Sequence, residues 1–523
     1  MAARWWFWVG VLVFTGCLIH GAKALAADAA SAKAGRAPIR GILYNEDDSH
    51  RFVLDPPGKM KPERLDQLVD ELADSQVTVM LLCCNAKNVG FPSKVWDVHC
   101  RGFDPAKGDD QPYFGDVPKE GRPGNRQWAH NLKAMLDAGV DPMQRMIDRC
   151  RQRRISPWVS IRMNDVHDAH LLRSPLHSRL WMEHHEYWRY PNRFTAWNDR
   201  CFNYGMKPVR DNMMALIREV CDRYDMDGLE LDWNRFPLHF REGEEIEQGK
   251  MLTEWMGTVR EVVRAAEKRW KHPIWLVARV PARPEVAYGT GLDAVAWAKR
   301  GLVDHLIVAP FFTTTDYDIP VERWLELLQG TGVGVTAGLE IRVEPYPGAP
   351  TLPNTPQRRR GAAMAHLARG SQGIYVFNYF EGRSEAGSEL WQLFNEMASI
   401  ESLAAKDRSY VVTFVDIHIP GKPIPPALPQ RLAPNESAEF KLYLGPKPLP
   451  TAKGEVQLTL RPEKPGERSV ARVTLNGHAS AGSQFVFAPE AFQEGYNAVR
   501  VTNAGSSPLS VESVELAVRF PRR

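Results

Sequence analysis

The stretch Asp227-Gly-Leu-Glu-Leu-Asp-Trp-Asn-Arg-Phe-Pro237 constrains the fold more than any other part of this chain. After Gly228, which permits a tight turn, Leu229, Leu231 and Trp233 alternate with Glu230, Asp232 and Asn234. Period two marks a strand whose successive side chains point to opposite faces. One face is apolar and suits packing against helices. The other carries two carboxylates and an amide, with Glu230 and Asp232 about 7 Å apart along the strand. Neighbouring inward carboxylates repel and desolvate each other, so they need a compensating use. That use is either an ion-pair network with arginines or a site whose chemistry exploits perturbed acids.

The same two-faced pattern recurs. In 157–164, Val159, Ile161 and Met163 oppose Ser160, Arg162 and Asn164, and in 334–342, Thr336, Gly338, Glu340 and Arg342 form the polar face. Strand patterns at 39–46, 77–85, 157–164, the acidic motif, 274–281, 303–311, 334–342 and 373–380 alternate with helix patterns at 61–73, 141–154, 208–224, 244–269, 292–300, 321–329, 357–369 and 389–400. Eight strands alternating with helices is the count of an α/β (β/α)8 TIM barrel, here over 38–402. A doubly wound sheet rarely carries polar residues along one whole strand face, whereas a barrel gathers such faces at its C-terminal mouth. The stretch 86–140, rich in Gly and Pro, reads as an insertion at that mouth.

From 409 the texture changes. Short strand patterns at 411–419, 438–444, 455–460, 471–475, 484–487, 498–502 and 511–520 are separated by turns, and 420–434 holds six prolines. Regular short strands of this kind predict an all-β sandwich, jelly-roll-like, over 409–523.

At the other end, Arg4 precedes an apolar run, 5–19, and small residues ending at Ala26. This is the pattern of a signal peptide, 1–26, and predicts a bacterial protein that is periplasmic, cell-surface or extracellular. The run is short for a membrane span, so membrane association would require a retained segment or a lipid on Cys17. The net charge of +3, about +1 without Arg4 and Lys23, lacks the basic stripe that nucleic acid requires. Cys83 and Cys84 end an apolar strand as buried thiols, and Cys100, Cys150, Cys201 and Cys221 are able to pair in an oxidising compartment. His167, His170, His184 and His185 lack a third ligand at metal spacing, and no phosphate loop is present, so neither metal nor cofactor is expected.

Cys201-Phe-Asn-Tyr-Gly-Met-Lys-Pro-Val-Arg-Asp211, followed by Tyr224-Asp-Met-Asp-Gly-Leu-Glu-Leu-Asp-Trp233, resembles the bacterial glycosyl hydrolase-like family 10 proteins. Arg40-Gly41, Pro157-Trp158 and Asn164 also fit, so the resemblance covers the whole barrel. It implies a secreted or envelope barrel acting on glycosidic bonds. Many members carry His and then Asp-Asp on the fourth strand; here Asp232 matches, while Glu230 and Trp233 depart. In the last segment, Val473-Thr-Leu-Asn-Gly477 and Phe492-Gln-Glu-Gly-Tyr-Asn497 resemble galactose-binding-like domains attached to glycosidases.

Glycoside hydrolysis needs a proton donor and a second carboxylate. Asp232 is one candidate, Glu340 its partner across the mouth, and Glu230, deeper, would raise the pKa of Asp232 by repulsion. Arg162, Asn164, Asn234, Arg279 and Asn378 are candidates for holding hydroxyls or the carboxylates, although each equally fits a barrel-core salt bridge or hydrogen bond. Glu46 and Asp47 share that ambiguity. Trp197, within an aromatic-dense stretch that also holds Trp181, Tyr187, Trp188, Tyr190, Phe194, Phe202 and Tyr204, and Trp233 are candidates for stacking on sugar rings. Two functions therefore fit: a glycoside hydrolase acting on a poly- or oligosaccharide or cell-wall glycan, or a non-catalytic carbohydrate-binding barrel. Asp232 sharing a cleft with a second carboxylate favours the first; Asp232 locked in an arginine cage favours the second.

Overall fold

The computed structural model describes residues 39–379, 389–464, 466–480 and 484–521; the expected signal peptide lies outside them. Eight parallel strands close into a barrel in sequence order: β1 Ile42–Glu46, β2 Val77–Cys83, β3 Ser156–Arg162, β4 Gly228–Asp232, β5 Trp275–Pro281, β6 His305–Ala309, β7 Gly334–Leu339 and β8 Ile374–Phe377. The alternation read from the sequence sorts the side chains. Leu229, Leu231 and Trp233 join the layer between strands and helices, while Leu43, Val79, Leu81, Trp158, Val277, Ile307, Tyr375 and Phe377 form a separate core inside the barrel.

Register fixes the height of each polar residue. Ser160 and Val277 flank Glu230 at one level, and Arg162 and Arg279 flank Asp232 one layer nearer the mouth. Gly228 sits at the bottom for a reason other than the expected turn. A β-carbon there would stand 2.5 Å from the Trp158 indole, so glycine is required by close approach.

Several helices differ from their patterns. The pattern at 292–300 shortens to one helix, Ala294–Lys299, whose start the Asp293 side chain caps at the Ala296 N–H, and a separate short helix, Pro284–Gly289, precedes it across Gly291, which takes φ 90°. The 389–400 pattern breaks into Glu389–Gln392, a 3-10 turn Leu393–Asn395 and Ile400–Leu403, the last capped by Ser399. Conversely, the stretch 86–140 is not structureless: a helix, Arg122–Asp137, buries Trp128, Leu132 and Met135.

Beyond the barrel lie two antiparallel sheets. One has the order β10–β17–β12–β15 with β9 also on β17, and the other β11–β16–β13–β14. The strands are β9 Arg408–Val411, β10 Gln430–Leu432, β11 Ser437–Tyr443, β12 Lys453–Pro462, β13 Ala471–Leu475, β14 His478–Ala479, β15 Val486–Phe487, β16 Tyr496–Asn503 and β17 Leu509–Arg519. In the galactose-binding-like motif, Asn476 Nδ2 donates to Asn497 Oδ1 at 2.8 Å and to the Ala491 carbonyl, so these amides clamp loops. The expected strand 411–419 stops at Val411. The following residues leave the sheet and strap across to the barrel, where Thr413 Oγ1 donates to the Thr315 carbonyl at 3.0 Å.

The six described cysteines are free thiols, five buried and Cys100 half-buried, so the four proposed for pairing are unpaired. No helix among the described residues is long and apolar enough to cross a membrane.

Barrel and sheets are joined by close backbone contact. Gly361, in the helix Pro356–Ala368, faces β9 so closely that a β-carbon would lie 1.9 Å from the Ser409 carbonyl oxygen. Gly361→Ala is therefore expected to lower unfolding free energy by about 1–3 kcal/mol, the range of overpacking, in urea denaturation. An unchanged midpoint would show that this junction is loose.

Candidate active site

Arg279, inside the barrel on β5, is the hub of the mouth. Its Nη1 donates to Asp232 Oδ2 at 3.1 Å and Oδ1 at 3.3 Å, and its Nη2 donates to Glu340 Oε1 at 2.9 Å. One guanidinium thus clasps acids from β4 and from the end of β7. Its fork and two bonds leave the contacted oxygens at most about 8 Å apart. Asp232, Arg279 and Glu340 all have 0% exposure.

Asp232 is held from a second side. Its Oδ1 also accepts the backbone N–H groups of Asn234 at 3.0 Å and Arg235 at 2.9 Å. Every donor to this side chain is an N–H, the pattern that suits an ionised carboxylate. The turn so formed drives Phe236 to φ 60°, an unfavourable conformation for a bulky side chain that surrounding contacts must hold.

One layer deeper, Glu230 accepts from Tyr375 Oη at 3.1 Å, while its Oε2 is buried without a hydrogen-bond partner. Burial first, then repulsion from Asp232, pushes its carboxyl up to about 8. Burial also pushes Glu340 well above the usual carboxylate range, against the pull of Arg279, and its Oε2 too lacks a partner. Three acids therefore share one guanidinium, and Glu230, whose nearest polar neighbours Tyr375 and Ser160 offer only neutral hydroxyls, is the natural holder of a proton.

A second charged row lies alongside. Arg162 donates to Asp47 and, at 3.3 Å, to Asp165. Asp165 Oδ1 contacts His167 Nδ1 at 2.7 Å, and His167 Nε2 contacts Arg235 Nη2 at 2.9 Å. Glu46 contacts His50 Nδ1 at 2.7 Å and Asp47 pairs with Arg162, so both acids at the end of the first strand are already partnered.

The structure brings the candidates Asp232, Glu340, Glu230, Arg162, Arg279 and Asn234 together at the mouth, and Asn234 Nδ2 donates to the Ala309 and Pro310 carbonyls at 2.9 and 2.7 Å. Asn378, just after β8, takes φ 55° and has a buried, unpartnered Oδ1. Two candidates fail. Trp233 is fully buried between strand and helices against Tyr204, Trp255 and Trp297, because it lies on the outward face of its strand and so cannot stack on a sugar in the mouth. Asn164 is occupied in binding the backbone of Phe202 at both ends of its amide and the Leu238 carbonyl, so it fastens loops. The aromatic stretch is largely core: Trp181, Trp188 and Tyr204 are buried. Trp197 is different. It is half-buried and joins Phe236 and Phe311 at ring separations of 5.2 and 5.5 Å, forming an aromatic rim at the mouth. Among the described residues no group of three metal-binding side chains occurs.

Two residues escaped the sequence reading. Asp416, on the strap from the second sheet region, accepts the N–H groups of Phe311, Phe312 and Thr313 at 2.9, 2.8 and 2.8 Å, and so shapes the loop after β6. Its only signal was a charge between Val415 and Ile417. Arg235 follows Asn234 inside the motif but reads as a turn residue.

No protein-family model matches the sequence, and no curated protein matches it. Among solved structures, the chain is similar to the glycoside hydrolase domain of PgaB (BpsB) from Bordetella bronchiseptica, at 9% identity and TM-score 0.40, over 69% of this chain and 99% of that one. It is similar to the chitinase ChiW from Paenibacillus sp. strain FPU-7 at 11% identity and TM-score 0.39, covering 90% of this chain and 54% of the chitinase. A glycoside hydrolase family 18 N-acetylglucosaminidase from Paenibacillus barengoltzii matches at 11% identity and TM-score 0.33, over 68% and 98% of the two chains. The chain spans 57% of the length of a Paenibacillus cycloisomaltooligosaccharide glucanotransferase that it also matches. These structures are named for enzymes that act on glycosides, and the roles of residues here rest on their own geometry.

The proton on Glu230 has a measurable consequence. Folded, the group holds its proton up to about pH 8; unfolded, it releases it near 4.5. Across that window the unfolded chain binds fewer protons, so stability falls as pH rises, by at most about 1.4 kcal/mol per pH unit. Glu230→Gln is expected to remove this slope and to gain on the wild type toward pH 8 in urea titrations. Parallel pH profiles for the two proteins would contradict the assignment.

Proposed function

We propose that the chain is an exported glycoside hydrolase that cleaves O-glycosidic bonds of a poly- or oligosaccharide, with Asp232, Glu340 and Arg279 as its chemical unit. The observation that carries this reading is the single arginine clasping two acids from different strands at the C-terminal mouth of a barrel. In this reading Glu340, pushed up by burial and with one oxygen unpartnered, donates the proton to the leaving glycosidic oxygen. Asp232 is the ionised partner that attacks the anomeric carbon or directs water to it. Arg279 holds both acids in place and limits their mutual repulsion. Glu230 stays protonated below them and adds no further negative charge. Trp197 and Phe311 offer aromatic faces for a pyranose ring. The apolar run 5–19 behind Arg4 supports export. The resemblance to glycosyl hydrolase-like family 10 agrees with this reading at Asp232.

One observation favours the non-catalytic alternative. Asp232 is unexposed and already bound to Arg279 and two backbone N–H groups, which is close to the cage expected of a structural acid. Hydrolysis at this pair requires the residues above it to shift when a glycan binds.

Hydrolysis of a glycan panel by the full chain, by Asp232→Asn and by Glu340→Gln separates the two. The proposal expects reducing ends from the wild type and a loss of at least about 100-fold in either variant. A glycan that binds all three proteins equally and is never cut would establish the binding barrel instead.

A further inference from the structure

Above the clasped acids sits a cation with no direct ion pair. Arg235 is only 5% exposed and forms no ion pair with a carboxylate among the described residues. Its one side-chain hydrogen bond is to His167 Nε2, and its Nε is buried without a partner. The neighbouring arginines are already committed, Arg162 to Asp47 and Asp165 and Arg279 to Asp232 and Glu340. Burial, and then repulsion from Arg162, pulls the Arg235 guanidinium down to about 10, against the weaker attraction of Asp165 and Glu340.

A buried, unpaired charge is among the least favourable groups a folded protein keeps, and pairing with an anion is its usual relief. Its surroundings point outward. The guanidinium lies 4.7 Å from the centroid of the half-buried Phe312 ring, and the exposed Arg342 lies 4.8 Å from the same ring. Arg342 also lacks an ion-pair partner among the described residues, so two guanidiniums without a direct ion pair share one aromatic ring beside Trp197 and Phe311.

We propose that Arg235, assisted by Arg342, is a specificity-determining residue that binds the anionic group of an acidic sugar, so that the glycan taken into the mouth carries carboxylate or sulfate substituents. The planar fork of arginine matches such oxyanions, and the adjacent rings cover the sugar's apolar face. This rests on the mouth being a glycan site, as proposed above, but does not require that the glycan be cut.

Two measurements on the full chain test it. The first needs no ligand. Arg235→Met keeps the length of the side chain and removes the unpaired charge, so its thermal midpoint is expected to rise by a few degrees. A fall would show that Arg235 is a structural element and would overturn the proposal. The second is calorimetric titration with matched oligosaccharides: oligogalacturonate against its methyl ester, oligomannuronate against oligomannose, and sulfated against unsulfated oligogalactan. The proposal expects at least one charged member to bind about tenfold or more tightly than its neutral partner, with the difference lost in Arg235→Gln and reduced in Arg342→Ala. Preference within the first two pairs identifies a carboxylate, and within the third a sulfate ester. Neutral partners binding as well throughout, or a charge preference that survives Arg235→Gln, would overturn it. Cleavage without charge preference would sink this inference while sparing the hydrolase; charge-selective binding without cleavage would do the reverse.

Discussion

The mouth of this barrel depends on one guanidinium. Arg279 is wholly buried, yet it carries hydrogen bonds to Asp232 and Glu340, and its Nη2 also reaches the Pro310 carbonyl at 3.3 Å. Without that cation, Asp232, Glu340 and Glu230 would be three acids in a water-poor interior, a cost that burial alone makes prohibitive for ionised groups. With it, one carboxylate is neutralised, and the remaining two are driven toward their protonated forms. The same arginine lies 4.2 Å from the centroid of Phe377, the last residue of β8, which also has Arg162 at 5.7 Å and Arg235 at 5.6 Å. An aromatic ring among three cations adds attraction to that of their carboxylate partners.

The second region of sheet contributes to this mouth. The strap after β9 delivers Asp416 to three successive backbone N–H groups of the loop that presents Phe311 and Phe312. A carboxylate on consecutive amides fixes a loop much as a bound anion fixes a backbone nest. The aromatic rim is therefore shaped from both parts of the chain. Contacts such as Arg358 with Glu515 at 2.6 Å and Tyr496 with Asp318 at 2.8 Å tie the sheets to the barrel below that strap.

Much of the barrel was legible because period-two alternation reports directly which face of a strand is dry. The inward placement of Arg162, Glu230, Asp232 and Arg279, and their relative depth, follow from spacing alone. Trp233 was misassigned for the same reason that its neighbours were read well: its parity places it outside the barrel, against Trp255 and Trp297. Composition could not distinguish Trp181, a core residue, from Trp197, a rim residue, because both lie in one irregular stretch whose path is set by distant contacts such as Asn164 with Phe202. Asp416 was hidden because its partners are more than a hundred residues away, and Arg235 because its one side-chain hydrogen-bond partner, His167, lies 68 residues back on another strand's loop.

The account turns on a proton kept on Glu230 by burial and by the charge of Asp232. Infrared difference spectroscopy of the protonated carboxyl stretch at neutral pH, wild type against Glu230→Gln, reads that proton directly. Loss of one carboxylic acid component in the variant, with the contribution of Glu340 left in place, is the result the account predicts. No such band in the wild type, or one unchanged by Glu230→Gln, would mean that the three acids around Arg279 are not arranged electrostatically as described.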